Sequence, residues 1–367
     1  MNNSKLLVFL KTFTPAEFKS FAYFVTSPYF NTNKKVRQLY QYIQPIMPDT
    51  ASPRLSRRKV FAHLFPNQVY KEIKLQQLMS ELVKVVEKFW VYESFKAQPL
   101  AQKMAGLKKY REKKLAPYWE KEGKVLQNLL LDKSRPIETS DVYYYQFQLA
   151  IEVHESIESA EQRNREPNLQ EIFDTLDTYY FINKLKYYCK ALNYQRFRSV
   201  SYELSMINAV LTAVETNGLL DIPAIAVYYH GVQTLLQKDT AGVTHFNQLK
   251  SLLQQYSTNF ARHEIQNMFV LARNFCIKQV NESGHRLYLQ EIFDLYKIEL
   301  AENLIVENEK ISTATYKNIT TVALALHEYD WLEGFIYQYP KAVHTDTFSF
   351  TLAQLRFEQK KYEEVLL

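Results

Sequence analysis

A chain of 367 residues, 47% hydrophobic and 23% charged, is globular rather than disordered and long enough for more than one domain, each with its own buried core. Only seven glycines argue against turn-rich β architectures and against phosphate-cradling loops, both of which need φ > 0 or close backbone approach. The net charge of +6 conceals an asymmetry: Met1 to Arg135 carries 25 Lys+Arg against 10 Asp+Glu, a net of +15, and Pro136 onward carries 20 against 29, a net of −9.

The composition therefore predicts an all-α protein. Its 27 tyrosines and 23 phenylalanines serve as large, rigid side chains in helix–helix seams. Leu6, Leu7, Phe9, Leu10 and Phe13 give a short apolar helix. Thr14-Pro15-Ala16-Glu17 is a complete helix start, with Thr14 as N-cap, Pro15 where a missing N–H costs nothing, and Glu17 able to reach back as a capping box. Phe18, Phe21, Ala22 and Val25 then fall on one helical face, and Pro28 ends the helix. Asn31 to Asn33 offer the next cap, before Val36, Leu39, Tyr40 and Ile43. Tyr29 and Phe30, between the two helices, are expected to tuck under both, so that alanine at Phe21 or Tyr29 should unfold this region.

Pro45, Pro48 and Pro53 mark a loop, and Ser56 precedes a helix through Val60, Phe61, Leu64 and Phe65 that Pro66 stops. A long helix from Lys71 to about Ala97 carries Leu75, Leu78, Met79, Leu82, Val86, Phe89 and Trp90 on one stripe. The next, about Leu100 to Asp132, is basic, with a kink expected at Pro117. Lys133-Ser134-Arg135-Pro136 is the expected boundary between a basic N-terminal helical domain (1–135) and a helical-repeat domain (136–367), because composition and charge sign change there.

Beyond it, helix starts are expected near Ser140, Asn168, Val200, Ile222, Val243, Arg262, His285, Ser312, Trp331 and Thr347, about one every 20 residues. Leu-Gln-Glu-Ile-Phe-Asp occurs twice, at Leu169–Asp174 and at Leu289–Asp294, an offset of 120 residues. Helix pairs at such a period form an α-solenoid. Leu352, Ala353, Phe357, Tyr362 and Val365 resemble the first helix and turn of a tetratricopeptide repeat, and Trp331 the equivalent position of the preceding unit. Lysines stand where that repeat has a turn glycine and acid, and its closing proline is missing. The chain stops at Leu367 as a second helix begins, so it is expected to be part of a longer polypeptide. Ser-Pro-Tyr-Phe-Asn after a Phe-rich helix, with Leu-Met-Ser-Glu-Leu at Leu78 to Leu82, resembles a bacterial family of uncharacterised helical-repeat proteins. That resemblance implies architecture and no activity.

Chemistry is sparse in the sequence. None of the eight histidines makes a His-Glu-x-x-His pair, and His154-Glu155-x-x-Glu158 is expected to be polar side chains facing solvent. There is no Gly-rich nucleotide fingerprint and no Gly-x-Ser-x-Gly elbow. Cys189 and Cys276 sit on apolar stripes and are expected to be reduced, buried thiols, which fits a cytoplasmic protein. Leu6 to Leu10 is too short for a secretory apolar region, and no run approaches the roughly 18 apolar residues of a membrane span. No catalytic residue, metal or cofactor is expected.

What stands out is basic. Arg57, Arg58 and Lys59 open one helix, and Lys108, Lys109, Arg111, Lys113 and Lys114 line another, candidates for holding a polyanion or a partner. The helix–Pro66–helix arrangement has too long a link, and too long and apolar a second helix, for a helix-turn-helix reading head. The expected function is therefore a non-enzymatic scaffold or adaptor for a protein or peptide, with nucleic-acid binding through the basic half as the alternative.

Overall fold

The computed structural model describes residues 4–49, 52–132, 139–159, 166–237, 239–339 and 345–362. Among them are seventeen α-helices and no strand beyond an isolated Glu307–Lys310 bridge, so the protein is all-α. Contacts divide the chain into two units, Met1–Gly106 and Leu107–Leu367. The boundary expected at Lys133–Pro136 lies outside the described residues.

The first unit is built around a long helix. Helices α1 (Lys5–Lys11), α2 (Pro15–Thr26), α3 (Lys34–Ile43) and α4 (Arg57–Leu64) each pack on α5 (Glu72–Lys96). The Thr14 capping box is present: the Glu17 amide donates to Thr14 Oγ1 at 3.2 Å and the Thr14 amide to Glu17 Oε2 at 2.7 Å. Asn33 caps α3 by accepting from the Lys35 and Val36 amides. Phe21 lies at the centre, edge-on to Phe13, Tyr40 and Phe89. Tyr40 is enclosed beside it and donates to the Phe18 carbonyl at 3.1 Å, and burial pushes its phenol up to about 12.

The turn between α2 and α3 departs from expectation. Buried Asn31 donates to the Val25 carbonyl at 2.8 Å and accepts from the Asn33 amide, so it closes the turn from inside. Phe30 stacks on Phe24 at 4.0 Å, but Tyr29 points outward and is 89% exposed. With Asn31 filling the space under the turn, only one of the two aromatics enters the core.

Helix α6 (Pro99–Glu112) ends where the second expected departure lies. The basic segment is two helices: Lys113 and Lys114 form a turn, Lys114 with φ 55°, and α7 (Ala116–Leu131) begins there. Pro117 sits in the first turn of α7, where it lacks no needed donor, and bends nothing.

The second unit continues with α8 (Thr139–Ser159), α9 (Leu169–Phe197), α10 (Ile207–Thr216), α11 (Pro223–Leu236), α12 (Asp239–Tyr256), α13 (Arg262–Ser283), α14 (Arg286–Ala301), α15 (Thr313–Leu326), α16 (Tyr329–Gln338) and α17 (Thr345–Glu358). Most begin within a few residues of the expected starts. The exception is α10, which begins at Ile207 rather than Val200, after an irregular stretch that reaches Met206 in a left-handed conformation. Helix α11 is the most enclosed element, and it packs against α9, α12 and α13. Gly231 makes that approach possible: a Cβ there would stand 2.7 Å from Met268 Cε and 3.0 Å from Cys189 Sγ.

Polar side chains are buried in this unit in pairs. Lys186 Nζ donates to Glu264 Oε1 at 2.6 Å and to Ser140 Oγ at 2.9 Å, and the Tyr228 hydroxyl donates to the same carboxylate oxygen at 3.2 Å. Arg273 pairs with Glu299 and lies over the Tyr296 ring. Cys189 and Cys276 are both buried and in no disulfide, and burial pushes both thiols well up.

Candidate binding surfaces

The basic residues singled out by sequence fall into two groups, one in each unit. Arg57, Arg58 and Lys59 occupy the first turn of α4, where positive charge opposes the helix dipole. Arg57 is paired with Glu72 in the first turn of α5, which offsets part of that cost, while Arg58 and Lys59 are exposed. In the second group Lys108, Lys113 and Lys114 are exposed and Lys109 pairs with Glu112 one turn on.

Arg111 is different. Only 17% of its side chain is exposed, and Nε donates to Glu152 Oε1 at 2.7 Å while the guanidinium also reaches Glu155. Trp119 Nε1 donates to the same Glu152 oxygen at 3.3 Å. The hydrogen bond to Glu152, then the nearby carboxylates, hold the Arg111 charge above its already high value. Arg111 thus ties α6 to α8, with Lys108 and Lys109 exposed beside it. Glu155 is part of this tie, and His154 sits 3.4 Å from Glu158, so the His154-Glu155-x-x-Glu158 stretch is occupied by intramolecular pairs.

Sequence reasoning missed an aromatic surface on the first unit. Phe30 stacks on Phe24 and meets Tyr92 edge-on, with ring centroids at 4.0 and 5.4 Å, and Tyr29 stands edge-on to Phe30 at 5.1 Å. Tyr29, Tyr92, Val91 and Phe95 are all exposed. The turn thus carries one aromatic into the core and another to the surface, continuous with the solvent-facing end of α5. The signal was present at Val91, Tyr92 and Phe95, which lie off the Leu75–Trp90 stripe and so could not all be buried by it.

Also missed was a histidine pair. His230 Nδ1 and His245 Nδ1, on α11 and α12, are 2.9 Å apart, so one ring must donate and the other accept. Tyr229 donates to Glu215 alongside and accepts from Gln233 Nε2 at 3.0 Å. Burial, then the neighbouring ring, push His230 down to about 4, and burial also lowers His245. Among the described residues no group of three or more His, Cys, Asp or Glu is placed to hold a metal ion. The tyrosines of this unit are not all in helix–helix seams: Tyr228 and Tyr229 are buried, whereas Tyr144 and Tyr180 are exposed.

No family model, curated protein or solved structure matches the chain. Among the described residues no helix is long and apolar enough to cross a membrane.

Proposed function

We propose that the chain is a non-enzymatic adaptor for a protein or peptide partner, built of a basic helical module followed by a tetratricopeptide-like α-solenoid. One observation carries the binding reading. Tyr29 and Tyr92 are exposed and linked through the Phe30 ring, with exposed Val91 and Phe95 on the same end of α5, and exposed apolar patches of this kind mark protein interaction sites. Aromatic side chains supply large contact area at little conformational cost, which suits capture of an extended or helical segment.

Support for the solenoid is local. α15 and α16 are joined through His327 and Glu328 alone, and His327, at φ 62°, takes the left-handed position that a glycine commonly fills. Lys360, also at φ 62°, does the same after α17, so the turn lysines replace the repeat's glycine without loss of the turn. The bacterial helical-repeat family remains the proposed relationship, and the two buried cysteines, in no disulfide, fit the cytoplasm.

The experiment is affinity capture from nuclease-treated lysate of the source organism, comparing wild type with the Tyr29→Ala/Tyr92→Ala double variant. The reading requires a protein that the wild type retains and the variant loses while its thermal transition is unchanged. Equal capture by both would refute the patch.

A second reading rests on the exposed cations of each unit taken by itself, Arg58 and Lys59 in the first and Lys108, Lys113 and Lys114 in the second, either of which could contact phosphates. It predicts nucleic-acid affinity that falls steeply with salt and drops on charge reversal at Arg57, Arg58, Lys108 and Lys109. A gel shift unchanged by those reversals removes it.

A further inference from the structure

Among the described residues, helix α9 carries a row of apolar side chains that stay exposed along one face, with Lys190 over the Tyr187 ring and Arg198 over the Tyr194 ring. Leu169, Phe173, Leu176, Tyr180, Tyr187 and Tyr194 are all exposed, and they recur at alternating four- and three-residue spacings, with Asn183 and Lys190 at the two remaining places of the row. That is the heptad row of a coiled coil, running roughly 40 Å along a 29-residue helix. The helix does not lack a core face: Ile182, Leu185 and Cys189 on its other side are buried.

The repeated hexapeptide gives an internal control. Gln170 Nε2 donates to Asp174 Oδ1 at 2.8 Å and Gln290 Nε2 donates to Asp294 Oδ1 at 3.2 Å, so the two copies share local structure. At Leu289–Asp294, Phe293 is 1% exposed and meets the Trp331 ring edge-on at 4.7 Å. At Leu169–Asp174, Phe173 is 55% exposed. The same six residues are covered in one place and open in the other.

We propose that α9 is covered by α9 of a second copy of this chain, running antiparallel about a two-fold axis. Two asymmetries along the helix select that partner and direction. The leucines of the row lie in its N-terminal half and Tyr187 and Tyr194 in its C-terminal half, so antiparallel pairing sets Leu169 against Tyr194 and Leu176 against Tyr187. Parallel pairing would stack tyrosine on tyrosine and leave gaps between leucines. Charge is divided the same way along the edge of the row: Asp177 flanks the first half, and Lys184 and Arg198 the second. In the antiparallel register Asp177 faces Lys184 of the second copy, and Phe173 meets the Lys190 ammonium. The contact is isologous, each residue pair occurring twice. The six apolar side chains alone offer on the order of 550 Å² per copy, which with the flanking residues passes the roughly 1,000 Å² total expected of a specific interface.

The test is the mass of the full chain by sedimentation equilibrium across a concentration series. The proposal requires a monomer–dimer equilibrium. Tyr187→Glu, at a position 60% exposed and therefore compatible with the monomer fold, should give a monomer with an unchanged circular dichroism spectrum. Asp177→Lys and Lys184→Asp should each weaken the dimer about ten-fold or more, and the two together should restore it. A wild-type chain monomeric at every concentration overturns the proposal and leaves the seam to a helix of a different protein. A dimer indifferent to Tyr187→Glu and to both reversals overturns it equally.

Discussion

Replacing Lys186 by methionine removes one partner of the most enclosed ion pair in the second unit. Its side chain is 8% exposed and that of Glu264 is fully buried, with 2.6 Å between Lys186 Nζ and Glu264 Oε1. Methionine fills nearly the same volume, so the change leaves little cavity. What it takes away is the ammonium at 2.6 Å from a buried carboxylate that also accepts from the Tyr228 hydroxyl at 3.2 Å. Breaking a buried pair from one side costs about 3–5 kcal/mol, because the remaining charge keeps its desolvation penalty and loses the attraction that offset it. For a unit of this size that is a fall on the order of 10 °C in the melting temperature. The assay is thermal and urea unfolding of Lys186→Met, Glu264→Leu and the double variant. The singles should each be strongly destabilised and the double markedly less so than their sum, since two apolar residues in contact need no counter-charge. A Lys186→Met variant within about 1 kcal/mol of wild type would refute the reasoning, and would mean that the pair is solvated despite its burial.

Three further outcomes follow from the same geometry. Phe21→Ala, at the centre of the first unit's aromatic cluster, should cost about 3–5 kcal/mol in urea unfolding, whereas Tyr29→Ala should stay within about 0.5 kcal/mol. Equal losses would show that Tyr29 has a core role after all. His230 should make stability depend on acid: its folded pKa of about 4 lies below the ordinary 6.5, so between those values the unfolded chain binds a proton that the folded chain refuses. Stability is then full above about 6.5 and declines as pH falls towards 4, by about 1–2 kcal/mol after allowance for solvent at the partly open ring. Unfolding of wild type and His230→Asn at pH 7 and pH 4.5 isolates this term, and an identical pH response in both would remove it. Gly231→Val should destabilise by about 2 kcal/mol or more, because even a Cβ already meets Met268 and Cys189; a neutral effect in thermal unfolding would mean that α11 can move away from α9 and α13.

Helix positions were largely legible because their determinants are local. Thr14, Pro15 and Glu17 start α2 through bonds within four residues, and Asn33 does the same for α3. What was not legible depends on contacts distant in sequence. Nothing in Ser-Pro-Tyr-Phe says which aromatic turns inward; the choice follows from Asn31 bonding back to Val25 and from Phe24 waiting for Phe30. Arg111 looked like one cation in a basic row until α8 brought Glu152 and Glu155 to it from 41 and 44 residues away. Pro117 could be read as a kink because the turn at Lys113 and Lys114 has no glycine to announce it; Lys114 takes the left-handed conformation instead. The histidine pair joins two helices and leaves no spacing motif. The repeated hexapeptide makes the same point within one chain, since identical local sequence gives identical local bonds and opposite burial.

The adaptor reading is tested most directly by placing a photo-crosslinking amino acid at position 29, where the side chain is outward and the fold does not depend on it. In cells of the source organism, irradiation should yield a discrete adduct with another protein, and Tyr92→Ala in the same chain should abolish it. Crosslinking to nucleic acid alone, or no adduct at all from this position, would contradict the account.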